Sequence, residues 1–137
     1  MSARENAAIA RDYLERVGRR DPSFADLLAD DVVWWTPPGS AHGGGAREGK
    51  AAVLEFVRHG SQKYSASAKL ELEIEQIVAD EDWACAQLVL RTATARGTPY
   101  TNYLHIAFRI RGGQIALARE YSDTLRTANS FTPEELA

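Results

Sequence analysis

The chain carries one cysteine, Cys85, in 137 residues. An internal disulfide is therefore excluded, and a cysteine set between alanines in a strand-like run reads as a small buried hydrophobe, not a nucleophile. Long apolar runs are also missing. None exceeds four residues, as in Val32 to Trp35, whereas a spanning helix needs roughly 18 to 20. No membrane association is expected, and the residues after Met1 enter an amphipathic stretch without a hydrophobic signal core, which points to a cytoplasmic protein. Excess positive charge is absent as well: the formal net charge is -3. Phosphate backbones gain no general attraction from such a chain, so nucleic acid is not an expected partner. Histidine is scarce, and His42, His59 and His105 show no paired ligand spacing, so neither a metal nor another cofactor is expected.

What is present is ordinary globular composition, 45% apolar, 26% charged and 9% aromatic, which fits one domain across residues 1–137 with no repeat and no linker. Arginine outnumbers lysine 13 to 3 and alanine reaches 22, a bias typical of high-GC bacterial genomes. Ile9, Tyr13, Leu14 and Val17 recur at helical spacing and predict a helix over residues 3 to 18. Asp21-Pro22 supplies the cap and first-turn proline of a second, short helix. Asp31 to Thr36 reads as a strand and Pro37 to Gly49 as a loop, followed by a helix near residues 50 to 59. Strict alternation from Ala66 to Ile74 predicts the next strand. Three more follow, over residues 83 to 94, 100 to 111 and 114 to 123, the last two joined by a Gly112-Gly113 hairpin. The tail after Thr124, polar in composition, is expected to be loosely held. The order implies an α+β domain in which a strongly curved mixed or antiparallel sheet is closed on its concave face by three helices, leaving a pocket. Trp34, Leu70, Leu72, Ile74, Phe108 and Leu117 are expected in the core.

His42-Gly43-Gly44-Gly45 has the letters of a lipase oxyanion motif, but the Gly-x-Ser-x-Gly elbow that such hydrolases require is missing. The segment reads instead as a mobile loop whose histidine reaches a pocket mouth. On the last strand, alternation places Ile115, Leu117, Arg119, Tyr121 and Asp123 on one face, so an apolar face ends in a tyrosine and a carboxylate. That carboxylate either caps the strand end or performs chemistry.

The chain resembles the nuclear-transport-factor-2-like cone fold, in its SnoaL-like and ketosteroid-isomerase-related branch. The resemblance is carried by Phe24 to Trp34, by Gly49-Lys50-Ala51-Ala52-Val53, by Asn102-Tyr103 and by Gly113 to Asp123. It implies a cofactor-independent isomerase, cyclase or dehydratase acting on a small, largely apolar organic molecule, possessing Asp123 as acid or base. The limonene-type epoxide hydrolase pattern is broken, because its third-strand arginine and aspartate fall on Gln87 and Val89. The SnoaL cyclase histidine position falls on Ile106. Trp34, Thr36, Asn102, Tyr121, His42 and Arg91 are the expected substrate contacts. If Asp123 lies in an apolar pocket its charged form is disfavoured; if it pairs with Arg91 or Arg119 it is an ordinary ionised carboxylate. The competing reading is a non-catalytic binding or assembly domain of the same fold. Dimers are common in this family, and Tyr103, His105 and Ala107 share a face, so a homodimer through the outer sheet face is expected.

Overall fold

The computed structural model describes all 137 residues. Helix α1 (Ala3–Gly18) begins in a capping box in which the Ser2 hydroxyl accepts from the Glu5 amide and the Glu5 carboxylate accepts from the Ser2 amide. Its Ala10, Tyr13 and Leu14 are buried. A 3-10 turn (Pro22–Leu27) opens with Asp21 accepting from the Ser23 amide. Strand β1 (Leu28–Thr36), short strand β2 (Gly45–Glu48) and helix α2 (Lys50–Ser61) come next. The remainder is a meander of β3 (Glu71–Ala79), β4 (Trp83–Ala93), β5 (Pro99–Arg111) and β6 (Gln114–Ser122), then helices α3 (Thr124–Ser130) and α4 (Pro133–Leu136).

The six strands form one open, curved sheet in the order β2-β1-β6-β5-β4-β3. All neighbours are antiparallel except β1 and β6, which run parallel. One side of this sheet carries Val32, Trp34, Ala84, Ala86, Leu88, Phe108 and Ala118, and α1 packs onto that side through Tyr13 and Leu14. Alanines at 84 and 86 on β4 let the helix approach the sheet closely, while Tyr13, Trp34 and Phe108 fill the remaining space edge to face or tilted, with centroids 5.7 to 6.2 Å apart. The α+β cone expected from the sequence is the observed fold. No helix is long and apolar enough to cross a membrane.

Four local expectations change. Strand β3 starts at Glu71, not Ala66, because residues 65–68 turn their carbonyls to the Arg20 guanidinium, which donates to Ser65, Ala66 and Ala68 at 2.5 to 2.9 Å. Backbone acceptors engaged by a side chain have no need of a ladder partner. Leu70, Leu72, Ile74 and Leu117 are half-buried, unlike the fully enclosed Trp34 and Phe108. The glycine-rich loop contains β2, and Gly44 passes so close to Pro37 that a Cβ there would lie 2.4 Å from the Pro37 carbonyl oxygen. The tail, finally, folds back: Thr127 and Phe131 are buried, and the Phe131 ring meets Tyr100, Tyr64 and His42 at centroid distances of 5.1, 6.0 and 6.1 Å.

The most consequential departure lies in β6. Its pairing with β5 slips between Arg109 and Ile110, so that Arg109 faces Leu117 while Ile110 faces Ile115. The bulge inserts one residue and reverses the side-chain parity beyond it. Ile115 is therefore inside, and so are Ala118, Glu120 and Ser122, while Arg119 and Tyr121 turn outward.

Candidate active site

Between the concave face of the sheet, α1, α2 and the tail lies a cavity of about 220 Å³. Its walls are mostly apolar, with Leu14, Val17 and Phe56 from the helices and Leu72, Leu88 and Ile106 from the sheet. Polar groups enter at a few points only, the usual arrangement where a site must orient a small molecule.

Glu120 is the one carboxylate in the lining. Strand β6 delivers it from the sheet floor, and the Trp34 indole on neighbouring β1 donates from Nε1 to Glu120 Oε1 at 3.0 Å. Burial pushes the carboxyl above its ordinary range; the indole hydrogen bond and the Arg47 charge pull the other way and are outweighed. Tyr13 and Tyr64 also line the cavity, and burial raises both phenols, so both stay protonated at any physiological pH. Each is pushed further in that direction by the charge of Glu120.

A second polar group gathers where the 37–44 loop meets the end of α2. Lys63 Nζ lies 3.0 Å from His42 Nδ1. The imidazole is lowered to about 4, first by burial and then by the charges of Lys63, Arg47 and His59, so it is neutral at pH 7. An ammonium only donates, so Nδ1 is the acceptor and the ring proton sits on Nε2. Arg47 braces the loop: it donates to Thr36 Oγ1 at 2.7 Å and to the Gly45 carbonyl at 3.0 Å, and lies 4.0 Å over the Phe56 ring. Thr36 in turn donates to the Gly43 carbonyl at 2.9 Å.

Of the residues expected from the sequence, Trp34, Thr36, His42 and Asn102 border the cavity. Asn102 offers little to a ligand, because its amide already donates to Tyr100 Oη at 2.7 Å and to Thr127 Oγ1 at 3.0 Å. It ties β5 to the tail. Asp123, Tyr121 and Arg91 lie elsewhere. Asp123 is the N-cap of α3, accepting from the Arg126 amide and pairing with the Arg126 guanidinium at 3.5 Å on the surface. Tyr121 is 43% exposed and packs on Trp35 at 5.6 Å. Arg91 points outward to Glu73 at 2.6 Å. The bulge explains the first two, since counting alternation straight through from Ile115 lands on the wrong face. Glu120, Lys63, Tyr13 and Tyr64 were not read from the sequence as site residues. One signal was there for Glu120: the four consecutive apolar residues Ile115 to Ala118 cannot all alternate, and that run marks the bulge. No group of three metal-ligating side chains comes together anywhere in the chain.

The profile of the SnoaL-like domain family matches residues 10–118. Among solved structures, an NTF2-like protein of unknown function from Burkholderia pseudomallei superposes with a TM-score of 0.79 at 23% identity, over 93% of this chain and 98% of the other. A candidate SnoaL-like polyketide cyclase from Jannaschia sp. CCS1 superposes with a TM-score of 0.78 at 15% identity, over 93% and 92%. TerC, crystallised with polyporic acid, gives a TM-score of 0.79 at 19% identity, over 92% and 97%. At these identities the likeness is one of fold. No curated protein sequence matches the chain.

Proposed function

The chain belongs to the SnoaL-like domain family, and within it we propose that this protein is an enzyme that moves a proton on a small, largely apolar organic molecule, with Glu120 as the general acid/base. The observation that carries the reading is a lone carboxylate on the floor of an apolar cavity, held by an indole N–H and raised by burial. Desolvation of this kind brings a carboxyl toward the pH at which it can both take and return a proton. The apolar walls keep water from competing for that proton. Tyr13 and Tyr64, remaining protonated, are available to donate to an oxygen on which charge develops. Isomerisation, cyclisation and dehydration each need this one transfer. The active form is proposed to be a homodimer through the outer sheet face, where Tyr103 and Tyr121 are 48% and 43% exposed.

A ring-opening probe tests the reading without knowledge of the natural substrate. 5-Nitrobenzisoxazole is small and apolar, and loses its C–H proton to a base as the N–O bond breaks, giving a coloured cyanophenolate. The wild-type protein is expected to accelerate this elimination with a rate that climbs as Glu120 ionises, and Glu120→Gln is expected to lose about 10²-fold or more. Equal rates for the two proteins from pH 5 to pH 9 would transfer the case to the non-catalytic binding reading, which the internal engagement of Asn102 favours.

A further inference from the structure

We infer that the ligand of this cavity is an organic anion, an apolar molecule ending in an acidic oxygen group that is received by the Lys63 ammonium. The inference rests on the reading of the cavity as a ligand site and names the chemical class that the site selects.

Lys63 is 6% exposed and lies in the cavity lining. None of the seven ion pairs of the chain includes it. Its one side-chain partner is His42 Nδ1, a neutral acceptor. An ammonium carries three protons, so two remain without a protein acceptor. A buried cation is costly unless it is paired, and one that borders an apolar cavity is completed most directly by whatever enters that cavity. No other group of the lining supplies a ready counter-charge: its one acidic side chain, Glu120, is already hydrogen-bonded to Trp34 and has its charged form disfavoured by burial. Arg47 is not a competing anchor, since it lies outside the lining, three of its five N–H donors go to Thr36 and to the Gly43 and Gly45 carbonyls, and its face covers Phe56. Lys63 is held in place by its backbone, whose N–H donates to the Gly60 carbonyl and whose carbonyl accepts from Ala95. The cation is thus positioned by the end of α2 and by the turn after β4, independently of the loop that carries His42.

The test compares two ligands that differ in charge and little else. Isothermal titration calorimetry at pH 7.5 would measure 1-naphthylacetate against its neutral amide, 1-naphthylacetamide. The wild-type protein is expected to bind the acid about 10-fold or more tightly than the amide, a ratio that corresponds to one charge-assisted contact. Lys63→Met should abolish the preference, bringing the ratio of acid to amide affinity to about 1, while amide binding that is still measurable shows the cavity to be intact. Lys63→Arg should keep the preference. If Lys63→Met fails to bind the amide, Lys63→Gln serves in its place. Equal affinity for acid and amide in the wild type, or a preference that survives removal of the Lys63 charge, would overturn the inference while leaving the cavity a ligand site. Failure of the wild type to bind either compound would overturn the ligand-site reading itself, and this inference with it.

Discussion

Replacing Phe131 by alanine should cost more than its place in a polar tail would suggest. Its ring is 5% exposed and makes edge contacts with Tyr100 and Tyr64 and with the His42 imidazole. Burial of a phenylalanine carries about 3 to 5 kcal/mol when truncated to alanine in a core. Edge-to-face pairs add roughly 0.5 to 1.5 kcal/mol each to what area alone provides. The tail offers an escape, however: it can detach as a unit and leave the sheet folded, so the global loss is bounded by the free energy of docking α3 and α4. We therefore expect a loss of about 3 kcal/mol, at the lower edge of the core range, which for a chain of this size lowers Tm by about 10 °C. Urea denaturation would give the free energy, and hydrogen exchange over residues 124–136 would show whether the tail opens first. Phe131→Leu, which keeps most of the volume, should recover more than half of the loss. A loss under about 1 kcal/mol, with unchanged exchange in the tail, would refute the claim that Phe131 fastens it.

Asp123→Ala should leave proton transfer to the benzisoxazole probe unchanged and cost about 1 kcal/mol of stability, the usual value of an N-cap, as measured by thermal denaturation. Glu120→Gln should be more stable than wild type at pH 8 and no more stable at pH 4. A carboxyl raised by burial binds its proton more tightly folded than unfolded, so the folded state loses stability as pH climbs from the ordinary glutamate value of 4.5 through the raised one. Paired urea titrations at the two pH values check that sign. Light scattering at micromolar concentration should return the mass of two chains, and Tyr103→Glu should halve it; a single-chain mass of 15.1 kDa for the wild type would remove the homodimer.

The expectations that succeeded rest on local chemistry. The apolar stripe of α1, the Asp21-Pro22 start and the Gly112-Gly113 turn, whose two positive φ angles of 58° and 81° suit a two-residue hairpin, are each decided within a few residues. Those that failed depend on partners far along the chain. Ala66 to Leu70 alternates like a strand, but Arg20 reaches its carbonyls from more than forty residues upstream. The tail looks polar because its anchors are few, and Thr127 and Phe131 find their contacts on β5 and around the cavity. On β6, alternation counted from the sequence points Asp123 to the cavity, and the structure points Glu120 there instead. One inserted residue opposite Ile110 exchanges Asp123 for Glu120, and the insertion is a property of the β5–β6 pair, not of β6. Lys63 lies in the turn after α2, where a lysine ordinarily reads as solvated.

The parallel seam between β1 and β6 bears on how this protein is made. Trp34 finds its neighbour Ala118 only after the β3 to β6 meander has been synthesised. Until then β1 has its β2 partner on one edge and nothing on the other, and Trp34 has Tyr13 of α1 but not Phe108 to pack against. The meander, by contrast, closes through short turns as it appears. Pairings of low sequence separation close at lower entropic cost, so the meander is expected to form ahead of the β1–β6 seam, leaving β1 the segment exposed longest during translation.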